Sequence, residues 1–519
     1  MVVKALIKRN AYHDSVSLMT VSNALGRLPG VELASLVMGT ALNLELLREN
    51  ELATPDMDGV EPNDLIIAVR AEGEDRARSA LEEAEARLAR PAGGGAPGGV
   101  EARRPRTLSA AVRDDPGINL AIVSVPGPFA SIEAEEALRA GLHVLLFSDN
   151  VPIGEEVRLK RLARELGLLV MGPDCGTAIV SGAGLGFANV VRPGPIGVVG
   201  ASGTGLQQVT CLIDRLGSGI TQGIGTGGRD LRAEVGGLTM RAAIAALGAD
   251  DATRVIVLVS KPPADEVARR VLDAADETGK PAVAVFLGGD PAAYPSTRVE
   301  IVRTLTEAAR LAVALAGGDD QVRDLTVLDE AAKRELAHAR EQLGPSQRYV
   351  RGPYSGGTLC EEALLLLGER LGTVHSNVPL ESQPALADPN RSQGHTLVDL
   401  GSDEFTVGRP HPMIDPTLRN ERLLQEAADP ATACLLFDVV LGYGAHPDPA
   451  STLVPVLGEA RERARSDGRA LPVIISLCGT EADPQRLSAQ ERALRGAGAL
   501  VYVSNAAAAN AAAAIVEGR

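Results

Sequence analysis

One unit of strands, glycine-rich turns and helices occurs twice in this chain, over residues 193–318 and again over residues 346–519. The first copy begins PIGVVGASGTGLQQVTCLIDRLG, and the second begins RYVRGPYSGGTLCEEALLLLGERLG. In each copy a second strand ends in a polar turn, GGRD or GSDE, and DDAT or DPAT precedes a third strand. A repeat of this length predicts two copies of one domain, with residues 319–345 as a helical connection between them.

The residues before the repeat fall into two further parts. Residues 107–192 contain the apolar runs NLAIVSV, HVLLFSD and LLVMGP, separated by amphipathic helices, which is typical of a parallel sheet covered on both faces. Residues 1–90 read β-α-β-β-α and predict a small ferredoxin-like or ACT-like α+β domain. Residues 91–106 are rich in Gly and Pro and predict a linker. The chain is therefore predicted to be a multidomain α/β protein, as its 519 residues require.

Charge and composition exclude several classes of partner. The formal net charge is −16, which argues against nucleic acid or an anionic membrane as the main partner. No apolar run reaches the ~18–20 residues of a membrane span, and the amino terminus lacks the apolar core of a secretory signal. The five cysteines form no CxxC pair, so no zinc site or disulfide framework is predicted. We therefore expect a cytoplasmic enzyme without a metal or a tightly bound cofactor.

The glycine-rich turns carry the strongest chemical signal. A strand-to-helix turn of this composition points backbone N–H groups outward at the positive end of the helix dipole, where a phosphate or carboxylate binds. The alternative is an ordinary capped helix. Because such turns occupy matching positions in both copies, we expect a phosphate or acyl-phosphate site. The residues predicted to bind it are Ser202, Gly203, Thr204, Gly227, Gly228, Ser355, Gly356, Gly357, Thr358, Gly401, Gly442 and Gly444.

Charged side chains flank these turns differently in the two copies. Arg229 follows Gly228, where its guanidinium is predicted to assist catalysis beside the backbone amides. Asp403 and Glu404 hold the corresponding place in the second copy and would repel a phosphate unless a divalent metal bridges them to it. The sequence leaves that question open, but it predicts that the two copies are not equivalent in function.

Two of the seven histidines lie in loops that follow strands. His446 lies in GYGAHPD, directly after the apolar strand CLLFDVVL, and is predicted to act on the ligand as an acid or a hydrogen-bond donor. His411 lies in GRPHP and is interpreted as structural. The motifs HExxH, GxxxxGK and GxSxG do not occur.

Two more loops follow strands of residues 107–192. Ligands of parallel sheets bind at the carboxyl ends of the strands, which is where VPGPFA and GPDCG fall. Pro126, Phe129, Pro173, Asp174 and Cys175 are therefore predicted to line the substrate or CoA side of the site.

Together these motifs resemble the succinyl-CoA synthetase superfamily over roughly residues 107–519, and most closely its FdrA branch, acyl-CoA synthetase FdrA. VPGPFA is similar to that family's VPAPFA loop, GPDCGT to GPNCPG, and GASGTG to the α-subunit SRSGT loop. LVDLGSDE resembles the LDVGGG phosphate loop of the β-subunit, and GYGAHPD its IFGG loop. The resemblance implies a Rossmann-like CoA-binding-type domain (107–192) and two flavodoxin-like ligase domains (193–318 and 346–519). The chain thus looks like an α-subunit fused to the carboxyl domain of a β-subunit.

The chain departs from this family at the residues that carry phosphate. Succinyl-CoA synthetases carry phosphate on a histidine in a GHAGA loop, but here the matching strand is followed by Asp290–Tyr294, which contains no histidine. The glutamate that supports that histidine aligns with Lys261. The resemblance also does not extend to the glycine-rich amino-terminal part of the family's CoA domain or to an ATP-grasp domain. These departures predict direct group transfer without a phosphohistidine.

The resemblance to FdrA implies carbamoyl transfer between oxalurate or oxamate and phosphate in purine degradation. The first alternative is an ADP-forming acyl-CoA (succinate–CoA) ligase that works with a separate nucleotide-binding subunit. The second is a non-catalytic scaffolding subunit. Phosphate or an acyl or carbamoyl phosphate is the expected substrate, CoA binding stays open, and a homo-oligomer or a complex with other subunits is expected.

Overall fold

The computed structural model describes residues 1–11, 13, 15–26, 28–89, 105, 107–294, 298–317, 322–380, 383–406 and 409–519. It divides into two compact units: Met1–Arg104 with Thr406–Pro410, and Pro105–Phe405 with His411–Arg519. Apart from Pro105, the linker predicted over residues 91–106 lies outside the described residues.

The first unit contains a three-stranded antiparallel sheet in the order β1-β3-β2. Its elements are β1 (Val2–Lys8), α1 (Ser15–Gly26), β2 (Val31–Met38), α2 (Ala41–Glu49), a 3₁₀ turn (Pro55–Met57), β3 (Leu65–Ala71) and α3 (Glu74–Ala89). The central strand β3 is the most apolar and is buried at all but one position. The sequence prediction omitted α2, which Thr40 caps by accepting the N–H of Asn43 on its hydroxyl. A small α+β domain is confirmed, with one helix more than expected.

The second unit begins with a three-stranded parallel sheet, β4-β5-β6, flanked by helices. Its elements are α4 (Leu108–Asp114), β4 (Leu120–Val123), α5 (Gly127–Arg139), β5 (His143–Leu146), α6 (Ile153–Leu166) and β6 (Val170–Met171). The predicted boundary at residue 192 needs correction. The hairpin β7 (Thr177–Val180) and β8 (Ala183–Gly186) pairs antiparallel with the next sheet instead, so the parallel sheet of this layer ends at Met171.

The first copy of the repeat forms a sheet in the order β13-β12-β11-β9-β10, which the hairpin β7-β8 extends beyond β10. Its elements are β9 (Pro193–Gly200), α7 (Gly203–Arg215), β10 (Ile220–Gly225), α8 (Leu238–Ala249), β11 (Val255–Ser260), α9 (Asp265–Glu277), β12 (Ala282–Phe286), a 3₁₀ turn (Pro291–Ala293), β13 (Val299–Val302) and α10 (Leu305–Gly317). The predicted helical connection contains α11 (Glu330–Glu341).

The second copy forms an all-parallel sheet in the order β15-β16-β14-β17-β18-β19. Its elements are β14 (Tyr349–Tyr354), α12 (Gly357–Leu371), β15 (Val374–Ser376), β16 (His395–Asp399), α13 (Asp403–Thr406), α14 (Thr417–Ala428), β17 (Thr432–Val440), α15 (Pro449–Ser466), β18 (Val473–Cys478), α16 (Leu487–Gly496), β19 (Leu500–Tyr502) and α17 (Asn505–Val516). Without the added strands, both copies have the flavodoxin-like order 2-1-3-4-5, which confirms the repeat as two domains of one topology.

The two copies share a hydrophobic core, and this core positions the first helix of each. One buried cluster includes Leu206 and Val209 of α7 together with Leu359 and Leu364 of α12. The amino-terminal ends of α7 and α12 are therefore held at fixed places by packing on both sheets. In the described part of the chain, no helix combines the length and the apolar character that crossing a bilayer requires.

Candidate functional site at two helix N-termini

The amino-terminal ends of α7 and α12 meet. Ser202 caps α7 by accepting the N–H of Gly205 on its Oγ, at 3.0 Å. The same Oγ lies 2.6 Å from Oγ1 of Thr358, the second residue of α12. The two glycine-rich turns, which the sequence analysis predicted as separate features, thus lie next to each other in the structure.

This close approach explains why glycine occupies the turns. A Cβ atom at Gly205 would lie 3.0 Å from Cγ2 of Thr358. A Cβ atom at Gly356 would lie 2.9 Å from both Cγ2 of Thr204 and Oδ2 of Asp438. Either side chain would push the two helix ends apart.

The backbone amides of the two turns have different partners. Among the residues that the structure describes, none accepts a hydrogen bond from the amides of Gly203 and Thr204. The amides of Ser355 and Gly356 instead donate to the carboxylate of Asp438, at 2.6 and 2.8 Å. At this second turn an internal carboxylate holds the place predicted for a phosphate, so the predicted role of the Ser355 and Gly356 amides needs correction.

Asp438 is fully buried together with Arg419. Nη1 of Arg419 donates to the backbone carbonyl of Asp438 at 3.2 Å and to Oγ of Ser355 at 3.4 Å. Burial raises the pKa of Asp438, although the Ser355 amide and the Arg419 charge act against it. Burial also lowers the pKa of Arg419 to about 10. This pair stabilises the second turn from inside the core.

Asp399 and His411 lie beside the same turn. A Cβ atom at Gly357 would lie 2.7 Å from Oδ2 of Asp399, and one at Gly401 would lie 2.7 Å from Nε2 of His411. Burial raises the pKa of Asp399 to about 7, although the N–H of Gly401 donates to it at 2.9 Å.

Burial lowers the pKa of His411 to about 4, so its ring is neutral at neutral pH. Because Nδ1 accepts the N–H of Met413 at 3.2 Å, the ring proton is on Nε2. His411, interpreted as structural from the sequence, thus has an N–H donor at the second turn.

The loops at the ends of β4, β5 and β6 lie against one another. A Cβ atom at Gly127 would lie 2.3 Å from the carbonyl of Asp149, and the N–H of Asp174 donates to the carbonyl of Ser148. Phe129, two residues from Gly127 and three from Pro126, is 62% exposed. Cys175 differs from the prediction, because its thiol is buried and burial raises its pKa to about 12. Cys175 therefore packs in the core and does not line the site.

Asp174 is exposed to solvent, but the protein around its carboxyl group raises its pKa to about 6, mainly by desolvation. The charges of Asp149 and Asp403 contribute to the rise, while Arg229 and Lys261 oppose it. A carboxyl group with such a pKa is a candidate for proton transfer.

The guanidinium of Arg229 already interacts with other groups of the chain. Its Nη2 donates to the carbonyl of Val151 at 2.7 Å and pairs with Glu156 at 2.9 Å. Glu156 also pairs with the buried Lys160, which binds Asp230 at 2.8 Å. Next to Arg229, Gly227 approaches the carbonyl of Pro173 so closely that a Cβ atom would lie 2.3 Å from it, whereas a Cβ atom at Gly228 would meet open space. The GGRD turn thus lies against the loop that carries Asp174.

Lys261, which the resemblance places opposite the family's glutamate, forms an ion pair with Glu361 of α12. Burial acts to lower the pKa of Lys261, but the charges of Glu361 and Asp399 outweigh it and the pKa is raised. In the loop after β12, the Asp290 carboxylate accepts the N–H of Ala292, and Tyr294 packs edge-on against Phe286. Lys261 and the Asp290–Tyr294 loop are therefore each held by contacts within the chain.

The loop that contains His446 is held by hydrogen bonds. The N–H of Gly442 donates to Oε1 of Gln485 at 3.0 Å, so this predicted phosphate ligand already has a partner. A Cβ atom at Gly444 would lie 3.0 Å from the ring of Phe187. His446 accepts the N–H of Asp448 on Nδ1, and its own N–H donates to the carbonyl of Met413. Its backbone is therefore next to the segment that follows His411.

The structure also places the acidic residues of the GSDE turn. Asp403 and Glu404 are exposed at the start of α13, and Nδ2 of Asn377 donates to Glu404 at 3.2 Å. Within the described residues, no group of three or more His, Cys, Asp or Glu side chains is arranged to hold a metal ion.

Three family models match the chain. The model described as CoA-ligase matches residues 354–515, and the CoA binding domain matches residues 191–288. The latter falls on the first copy of the repeat, not on residues 107–192, where the CoA-binding-type domain was expected. The model described as AllF, heavy metal-associated domain, matches residues 1–105.

Individual relatives extend these matches. YahF, an uncharacterized protein of Escherichia coli strain K12, is 43% identical over 506 residues, which cover 97% of this chain and 97% of YahF. The α subunit of an ADP-forming succinate–CoA ligase from Aquifex aeolicus is 28% identical over 35% of this chain and 60% of the subunit. A solved dinucleotide forming acetyl-coenzyme A synthetase of Ca. Korarchaeum cryptofilum has 14% identity and a TM-score of 0.32, covering 78% of this chain and 84% of that one.

A chain with a CoA binding match in the first copy of the repeat and a CoA-ligase match in the second is an acyl-CoA ligase-type protein of the succinyl-CoA synthetase superfamily. Within that superfamily, it belongs to the FdrA family, together with YahF.

Proposed function

We propose that the chain transfers a carbamoyl group between oxalurate and phosphate, and that the reaction takes place where α7 and α12 meet. The observation that carries this proposal is the 2.6 Å contact between Ser202 and Thr358. It places the unpaired amides of α7 next to a second helix end whose own turn Asp438 already occupies, so the α7 amides and dipole favour an anion at this point. Phosphate and a carbamoyl phosphate are anions of suitable size and charge.

Direct transfer is supported by the residues beside the site. By the resemblance, Lys261 takes the place of the glutamate that supports the phosphohistidine, and the Asp290–Tyr294 loop, which has no histidine, takes the place of the phosphohistidine loop. In the forward reaction a phosphate oxygen attacks the carbamoyl carbon of oxalurate and forms a C–O bond. The C–N bond to oxamate then breaks, and the leaving nitrogen takes one proton. The products are carbamoyl phosphate and oxamate.

The amides of Gly203 and Thr204 would stabilise the phosphate and the developing oxyanion. Two groups are candidates for the proton donor. His446 is the donor expected from the sequence, and Asp174 has a pKa of about 6 beside Arg229 and Lys261. A carboxyl group with that pKa is partly protonated near neutral pH, as general acid catalysis requires.

The test is an assay of the full chain, alone and with its partner subunits, for carbamoyl phosphate formed from oxalurate and phosphate. Asp174→Asn and His446→Gln are assayed in parallel. The variant that removes the donor should lose at least ~10-fold in turnover and its pH dependence, because general acid–base catalysis contributes ~10²–10⁴-fold. If neither variant changes turnover, the proton comes from another group.

An ADP-forming acyl-CoA ligase that works with a nucleotide-binding subunit is the second candidate, and the CoA binding and CoA-ligase matches favour it. The same preparation is therefore supplied with succinate, CoA and ATP. Thioester formation without carbamoyl phosphate would replace the carbamoyl proposal. Formation of neither product would support a scaffolding subunit.

A further inference from the structure

A second concave region of the large unit is lined by arginines. It has a volume of about 490 Å³ and lies between α6, the start of α8 and α9. Its walls are formed by Arg161, Arg164, Ala233, Glu234, Val235, Gly236, Leu238, Arg241 and Arg270. None of these residues belongs to the site where α7 and α12 meet.

The arginines of this cavity carry more positive charge than the nearby carboxylates neutralise. Within the described structure, Arg161, Arg164 and Arg241 have no ion pair or side-chain hydrogen bond. Arg270 has a distant carboxylate, Glu266, at 3.8 Å, and its buried Nε has no acceptor. Glu234 is the acidic residue among those that line the cavity. Four guanidinium groups against the carboxylates of Glu234 and Glu266 leave two net positive charges in a chain whose net charge is −16.

The loop that contains Gly236 forms the wall between these arginines, and hydrogen bonds hold it in place. Gly236 and Gly237 have positive φ angles of 74° and 69°, and their amides donate to the carbonyls of Arg232 and Asp230. The carboxylate of Asp230 caps α8 by accepting the amides of Thr239 and Met240. Because Asp230 already occupies these amides, recognition in the cavity rests on the guanidinium groups and not on the helix end.

We propose that this arginine cavity binds a small molecule that carries two or more linked phosphate groups. Guanidinium groups bind phosphate oxygens in pairs of parallel hydrogen bonds, and several of them match the charge of a diphosphate better than that of one phosphate. The volume falls within the ~300–1,000 Å³ of small-molecule sites, so a nucleotide or a nucleotide-like cofactor fits. The linked phosphates of ADP and those of CoA offer this chemistry equally.

The experiment measures binding of inorganic phosphate, pyrophosphate, ADP and CoA to the full chain by titration calorimetry. The test variant is the double change Arg161→Ala and Arg241→Ala, both at exposed side chains. The matched control is Arg269→Ala, which removes an exposed arginine of α9 that does not line the cavity. Each titration is repeated in Gly203→Glu protein, which disables the site at α7, and in raised salt.

We expect saturable binding of pyrophosphate, and also of ADP, of CoA or of both. Whether ADP or CoA binds will identify the source of the linked phosphates. The double variant should weaken this binding at least ~10-fold, with a steep salt dependence, while Arg269→Ala and Gly203→Glu leave it unchanged. Three results would overturn the proposal: no saturable binding, binding lost in Gly203→Glu but kept in the double variant, or phosphate binding as tightly as pyrophosphate.

Discussion

Gly203 and Gly357 hold the same position in the two copies, as the first residue of α7 and of α12, but their surroundings differ. A Cβ atom at Gly203 would meet Oγ1 of Thr177 at 3.5 Å, an ordinary contact. A Cβ atom at Gly357 would lie 2.7 Å from the buried carboxylate of Asp399. Gly357→Ala should therefore destabilise the protein by ~1–3 kcal/mol, whereas Gly203→Ala should cost little. Denaturant midpoints of the two variants check this, and equal midpoints would contradict it.

The room at Gly203 permits a direct test of anion binding. Gly203→Glu places a carboxylate at the positive end of the α7 dipole, so we expect the folded variant to lose phosphate affinity at least ~10-fold. Gly203→Ala has the same Cβ atom without the charge and should bind phosphate nearly as well as the wild type. Titration calorimetry measures both. Unchanged phosphate affinity in the glutamate variant would mean that the turn is only a helix cap.

Asp399 makes stability depend on pH in a direction that can be worked out. Its pKa is about 7 in the fold, above the ordinary value near 4, so the folded state holds the proton more tightly. Ionising the carboxyl group thus removes stability as pH rises from about 4 to about 7.

Asp399→Asn cannot ionise and can still accept the N–H of Gly401. We expect its melting temperature to exceed that of the wild type by a margin that grows over this pH range and then levels off. Asp251→Asn, at an exposed aspartate, is the control and should show no such trend. A margin that does not vary with pH would exclude this account of Asp399.

Residues near the site differ in how far the sequence could reveal them. The glycine turns and Asp174 were predicted from local pattern alone. Asp438 and His411 were missed as neighbours of the second turn because their contacts join residues far apart in sequence, such as Ser355 and Asp438. One local signal was available: Asp399 and Asp438 both follow an apolar run, in HTLVD and CLLFD. A carboxylate at such a position stands out in a buried parallel strand.

At the scale of elements, the contact between α7 and α12 can be tested with hydroxyl deletions. Thr358→Val removes the hydrogen bond to Ser202 and should cost about 1 kcal/mol. Ser202→Ala also removes the cap on Gly205 and should cost more. Because both changes delete the same bond, the double variant should lose less stability than the two single losses together. Strictly additive losses would mean that the two hydroxyl groups do not interact in solution.

Long, strongly patterned elements were predicted well, and short ones were not. The apolar strands and amphipathic helices of the repeat follow their periodicity because burial on both faces demands it. The α2 helix, the β7-β8 hairpin and β15 escaped prediction. Each is short, and the place of β7 and β8 depends on pairing with β10, which no local pattern specifies.

At the scale of the molecule, the missing histidine leads to a prediction for the whole chain. Asp290–Tyr294 contains no histidine, and Nδ1 of His411 already accepts a hydrogen bond. We therefore expect no acid-labile phosphate after incubation with labelled ATP, or with an acyl phosphate and partner subunits. A succinate–CoA ligase α subunit treated in the same way is the positive control. Phosphohistidine found by mass spectrometry at any of the seven histidines would exclude direct transfer.

The meeting of Ser202 and Thr358 has a consequence for assembly, since both residues belong to one polypeptide. A site formed between two separate chains is lost when dilution brings them below their dissociation constant. Here the segment over residues 319–345 tethers one helix to the other, so each keeps a constant effective concentration around its neighbour. Formation of the anion site should therefore be a first-order process that does not depend on protein concentration. Every folded chain should contain the complete site even at nanomolar protein.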